Sequence, residues 1–157
     1  MWNAARLLAT GMDDGELDVA GCAVLELGAG AGLPSLTAAL CGAAVVVATD
    51  YGTAADSALV DALAANAAAL AAARPPADAG ASPAWCDVDV RPHVWGTDVA
   101  SLLACVEARL GAHRRFDRIL LADLLFNRQS HTLLLQTIAV RRIAIMAARG
   151  VPPQVQR

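Results

Sequence analysis

Glu26, Gly28, Gly30 and Gly32 alternate through the stretch Val24–Leu36, VLELGAGAGLPSL, and Asp50 follows about twenty residues beyond the glycines. A glycine turn between a buried strand and a helix lets backbone approach a ligand closely, because no Cβ stands in the way. Two ligand classes use such a turn. Dinucleotide enzymes need G-x-G-x-x-G, which seats a pyrophosphate on the helix amino terminus. Here the third glycine falls one residue early, at Gly32, and Leu33 holds the required position. The E-x-G-x-G-x-G spacing fits instead the enzymes that bind S-adenosylmethionine, which has no pyrophosphate to cradle. Asp50 is placed to accept hydrogen bonds from a ribose diol, a use common to both classes. Each acid also has a plainer reading: Asp50 as a solvated turn residue, Glu26 as the partner of an arginine.

The elements that must position these residues follow from hydrophobic patterning. Ala23–Leu27 reads as a short buried strand and Leu33–Cys41 as the helix after it, with Pro34 in the first turn where its missing N–H costs nothing. Ala44–Asp50, AVVVATD, is a second buried strand with Asp50 at its tip. A helix is expected over Asp56–Ala73, with Leu59, Leu63 and Leu70 at helical spacing, and a third strand over Ala84–Val90. Val99, Leu102, Leu103, Val106 and Leu110 form a helical stripe, with Thr97 and Asp98 as cap candidates. Phe116–Asp123 is the fourth strand, about Ser130 to Ala139 a further helix, and RRIAIMA a fifth strand. Strands alternating with helices give a Rossmann-like α/β fold: a mostly parallel twisted sheet with helices on both faces and ligands at the carboxyl ends of its strands. Residues 1–157 make a single domain with no internal repeat.

Composition narrows the function classes. The chain has 157 residues, 57% of them hydrophobic, and alanine is the largest single contributor to that fraction. The run Ala62–Ala73 is too short and too weakly apolar to span a membrane. The amino-terminal segment lacks the architecture of a signal peptide, which points to a cytoplasmic protein. A net charge of −3 argues against a nucleic-acid footprint. Four cysteines without a C-x-x-C pair and three scattered histidines argue against a metal site. Of the tryptophans, Trp85 reads as core, whereas Trp95 suits either core or a ligand-facing position.

The segments VLELGAGAGLPSLTAALCGAAVVVATDY, VWG at Val94–Gly96 and FDRILLADLLFN at Phe116–Asn127 resemble the seven-strand S-adenosylmethionine-dependent methyltransferases of the lysine methyltransferase (nicotinamide N-methyltransferase-like) type. Within that family the chain is most similar to the branch that methylates the amino terminus and a neighbouring lysine of elongation factor 1A. MWNAARLLA resembles the W-N segment before the first strand of that branch, and ADLLFN is the most branch-specific piece, since other branches tend to carry a tyrosine at the position of Phe126. The resemblance covers roughly Trp2 to Ile138.

It implies a protein methyltransferase using S-adenosylmethionine, with Gly28, Ala29 and Gly30 along the methionine part of the cofactor, Asp50 on the ribose and Glu26 within the binding motif. Trp95 would lie near the adenine, Ala122 would close the pocket by backbone contact, and Trp2 would reach in from the amino-terminal segment. Asp123, with Asn127, would bind and orient the acceptor nitrogen. A turn or helix-cap role is the plainer reading of both.

The family's sheet ends in an antiparallel hairpin, whereas the segment after HTLLLQTI, residues 140–157, is divergent and is expected to add no strand beyond the fifth. On that reading the chain is truncated and the outer edge of the fifth strand lacks a partner. Three other readings stand beside this one. One is a catalytically impaired cofactor- or partner-binding remnant of such an enzyme, and another is a methyltransferase for a different protein lysine. The third is a nicotinamide-dependent oxidoreductase, which Leu33 disfavours.

Overall fold

A computed structural model describes residues 3–74, 85–126, 128–139, 141–148 and 151–156 of the chain. Six strands form one sheet: β1 (Ala23–Leu27), β2 (Val45–Asp50), β3 (Val88–Pro92), β4 (Phe116–Ala122), β5 (Arg141–Ala148) and β6 (Val151–Gln156). Their spatial order is β3-β2-β1-β4-β5-β6, all parallel except β6. The order reverses between β1 and β4, and a doubly wound sheet binds ligands at the carboxyl end of that crevice.

Helices cover both faces. Alternation along β1 sends Leu25 and Leu27 to one face, where Leu102 and Val106 of α4 (Ala100–Leu110) and Leu134 and Ile138 of α5 (His131–Ile138) complete the core. Val24, with Val46 and Leu120, faces the other side, against Ala4, Leu8 and Met12 of α1 (Asn3–Asp13) and Ala38 and Ala39 of α2 (Leu33–Leu40). On that side α3 (Ala58–Ala72) buries only Leu63, packed with Ala29 and Ala48, and the Leu59 side chain is exposed. None of the helices described is long and apolar enough to cross a membrane.

Three expectations change. The third strand runs Val88–Pro92 rather than Ala84–Val90, because its register is set by β2, which pairs Val46 with Val88 and Asp50 with Pro92. As an edge strand, β3 tolerates its terminal proline. Trp85, expected in the core, is half-buried with the Arg74 guanidinium 5.7 Å above its ring. The third correction concerns the tail: β6 pairs antiparallel along β5, with Ile145 opposite Val155, so the outer edge of β5 does have a partner. The pairing slips between Met146 and Ala148, at the level of Pro152 and Pro153, which lack the N–H a regular ladder requires.

Candidate functional site

The register brings the ends of three strands to one level. Leu27 pairs with Thr49 on one side and with Leu121 on the other, so Gly28, Asp50 and Ala122 leave the sheet side by side. Between β1 and α2 the chain makes a tight loop in which Ala29 N–H donates to Thr49 O at 2.9 Å and Gly32 N–H to Ala29 O at 2.8 Å. Gly30 has φ +55°, and a Cβ there would point into open space. Gly32 differs: its φ is +83°, and a Cβ would strike Leu63 of α3. Gly30 thus clears room for a ligand, whereas Gly32 clears room for a helix.

Asp50 clamps the loop to β2. Its Oδ2 accepts from Gly30 N–H at 2.6 Å and its Oδ1 from Tyr51 N–H at 2.7 Å. Each carboxylate oxygen retains a further lone pair for a ligand hydroxyl.

Glu26 lies behind this loop and does not line the cavity. Strand alternation turns it to the α2 side, where Ser35 N–H (2.9 Å) and Ser35 Oγ–H (2.5 Å) both donate to Oε2. The side chain is fully buried, and Oε1 has no hydrogen-bond partner among the described residues. Burial pushes the carboxyl up from near 4.5 to about 8; the two Ser35 donors oppose that shift, and the nearby Asp50 charge adds to it. Glu26 therefore buttresses the first turn of α2.

In front of the loop opens a cavity of about 1030 Å³, lined by Gly28, Ala29, Gly30, Asp50, Trp95, Ala122 and Asp123, among other residues. Seven of the ten site positions singled out from sequence are thereby brought together. Trp2 and Asn127 lie outside the described residues. Asp123 sits at the exit of β4 with φ +58°, a left-handed conformation that aspartate adopts more readily than most residues. Two short 3-10 turns, Leu124–Phe126 and Arg128–Ser130, carry the chain from it to α5.

The structure adds wall residues that sequence reasoning did not single out: Ala5 from α1, Tyr51, His93, Leu124, and Ser130 and Leu133 at the start of α5. His93 was detectable in principle, since it directly precedes VWG, but only the β2–β3 register shows that Pro92 ends level with Asp50. Burial lowers the His93 pKa, so the imidazole is neutral at pH 7. The charged side chains on the described wall are then the two acids Asp50 and Asp123. Such a wall favours a ligand bearing positive charge.

Known proteins similar to this chain are methyltransferases. Residues 1–143 match the family model described as lysine methyltransferase. The chain is 37% identical over 139 residues to the Protein N-terminal and lysine N-methyltransferase EFM7 of Gibberella zeae, covering 88% of this chain and 50% of that protein. It is 34% identical over 155 residues to its namesake from Schizosaccharomyces pombe, covering 99% and 52%. The chain thus spans about half the length of the curated relatives it matches. Among solved structures, the N-terminal domain of EvdMO1 with SAH bound superposes with a TM-score of 0.59 at 19% identity, covering 88% of this chain and 48% of that one. Magnesium protoporphyrin IX methyltransferase from Synechocystis PCC 6803 gives 0.55 at 16% identity, covering 92% and 53%. These two likenesses bear on the fold.

Proposed function

This chain belongs to the lysine methyltransferase family, and from that premise we propose that it binds S-adenosylmethionine and directs its methyl group to an amine of a protein. The observation that carries the reading is the cavity in front of the glycine loop, whose charged lining is acidic. Both groups it would bring together, a sulfonium and an amine, are cationic or become so. The fit extends to shape, because Gly30 leaves open the space a Cβ would take. In the proposed pose Gly28, Ala29 and Gly30 flank the methionine part, Asp50 holds the ribose, Trp95 offers its apolar face to the adenine and Ala122 closes the pocket by backbone contact. The resemblance adds Trp2 to this set. Glu26 contributes indirectly, by fixing the loop through Ser35.

Bound S-adenosylmethionine supplies a methyl group already activated by its sulfonium, so no side-chain nucleophile is needed. The task of the protein is to hold the acceptor nitrogen in line. Asp123, on the cavity wall next to Ala122, attracts and orients that amine, and the resemblance assigns Asn127 to the same nitrogen. A carboxylate stabilises an ammonium, so Asp123 serves binding and alignment and does not lower the acceptor's pKa. An α-amino group, with a pKa near ~8, is partly neutral at physiological pH, whereas a lysine near ~10.4 must first lose its proton. An amino terminus is therefore the easier acceptor.

For the substrate we propose the N-terminal amine of elongation factor 1A, a nearby lysine of it, or both. The names of the relatives support an N-terminal amine and a lysine as acceptors; elongation factor 1A rests on the resemblance carried by the ADLLFN segment. The test pairs calorimetry with single-turnover transfer of labelled methyl to elongation factor 1A, with its amino terminus free or acetylated. Binding of S-adenosylmethionine and labelling of the free form are expected. Binding of a nicotinamide dinucleotide in its place would overturn the reading, and cofactor binding without transfer would favour the non-catalytic alternative.

A further inference from the structure

The segment that follows β3, His93 to Thr97, is tied down at two points. His93 N–H donates to the Asp50 carbonyl at 2.9 Å, and Gly96 N–H donates to Thr137 Oγ1 on α5, also at 2.9 Å. Trp95 stands between these two anchors, with part of its surface on the cavity and part against the core. Thr137 is 1% exposed, and its hydroxyl donates to Leu133 O at 3.1 Å. A helical threonine commonly makes that backward bond to the preceding turn. Here the oxygen also accepts from outside the helix, so both roles of the hydroxyl are used. Gly96 permits the approach: its φ is +84°, and a Cβ would lie 2.6 Å from Leu133 Cδ2.

We propose that Thr137 is the positioning residue for Trp95, holding the adenine-side wall in its binding geometry through the Gly96 N–H. The inference rests on the cofactor reading above. Beyond β3 this segment has left the sheet ladder, and its own turn, Thr97 N–H to Val94 O at 3.1 Å, is internal to it. The bond to α5 therefore ties the Gly96 end of the turn, on the far side of Trp95 from the His93 anchor, to the rest of the fold. Without an acceptor, Gly96 N–H seeks water and the turn samples other placements of the indole. A ligand must then bind the fraction of molecules in which Trp95 is correctly placed, and affinity falls by that fraction. Since Leu133 of α5 also lines the cavity, the bond joins the Trp95 wall to the α5 wall.

The test compares Thr137→Val and Thr137→Ala, which lack the acceptor, with Thr137→Ser, which keeps it. Two quantities are measured on the whole chain: hydrogen exchange of the Gly96 amide without ligand, and affinity for S-adenosylhomocysteine by calorimetry. In the valine and alanine variants the Gly96 amide should exchange faster and affinity should drop roughly five- to tenfold. The serine variant should match wild type in both. Unchanged affinity in a folded valine or alanine variant overturns the proposal, and so does unchanged Gly96 exchange. Should both of those variants fail to fold, the serine variant decides: loss of Gly96 protection or of affinity in it overturns the proposal, and wild-type values support it. Failure of wild type to bind the nucleoside refutes the cofactor reading instead, and the amide measurement still reports on the Thr137 bond.

Discussion

Replacing Glu26 by glutamine should abolish a pH dependence of stability that the buried carboxyl creates. In the unfolded chain this group loses its proton near 4.5, and in the folded chain near 8. Between those values the folded state holds a proton that the unfolded state has released, so its stability declines as pH rises. The contribution is complete below pH 4.5, falls by about 1.4 kcal/mol per pH unit through the window, and is gone above 8. Between pH 6 and 7.5 the expected loss is about 2 kcal/mol. Glutamine nearly matches the shape, can accept from Ser35 through its amide oxygen, and has no proton to release. Urea unfolding of both proteins from pH 5.5 to 8.5 gives a difference in which the other titrating groups largely cancel. Stability of the variant relative to wild type should climb with pH and level off above about 8. A flat difference would show that Glu26 keeps its usual pKa inside the fold, or one below it, because the Ser35 donors balance or outweigh burial.

The two loop glycines should respond differently to alanine. Gly32→Ala should cost about 2–4 kcal/mol, from left-handed strain plus the clash with Leu63, as measured by denaturant midpoint. Gly30→Ala should cost only about 1 kcal/mol, since its methyl group meets no protein atom, while losing most of the affinity for S-adenosylmethionine in calorimetry on the proposed pose, in which Gly30 flanks the cofactor. Asp50→Ala strips Gly30 and Tyr51 of their shared acceptor and the ribose of its partner. We expect about 2 kcal/mol weaker cofactor binding, or roughly thirtyfold, and equal affinities would remove Asp50 from the site. Asp123→Asn should lower turnover far more than cofactor affinity. A parallel loss of both would place Asp123 against the cofactor rather than the acceptor.

The parts of the fold that were legible in the sequence are those whose local pattern matches their surroundings. β1 and β2 are apolar runs buried on both faces, bounded by glycine or by an acid, and their limits could be read within a residue. β3 could not, because an edge strand takes its limits from its neighbour. α1 escaped notice since its buried stripe, Ala4, Leu8 and Met12, is thin and partly alanine. β6 escaped because consecutive prolines argue against a strand, and only the irregular pairing with β5 accommodates them. At the site, the glycines and Asp50 are encoded by spacing. The placement of Glu26 behind the loop, and of His93 and Leu133 on the cavity wall, depends on register and helix docking that no short motif records.

The left-handed backbone at Asp123 restricts what this position can become over evolutionary time. Asparagine and glycine are the other residues that settle readily at φ +58°. A copy of this gene that no longer transferred methyl groups would still be held to that small set by folding alone. An aspartate there is thus a poor marker of a working enzyme when related genes are sorted into active and decayed copies. Asp50 is under no such backbone restriction, since the non-glycine residues described with positive φ are His113 and Asp123. Its retention or loss in a lineage reports more directly on whether the pocket is still in use.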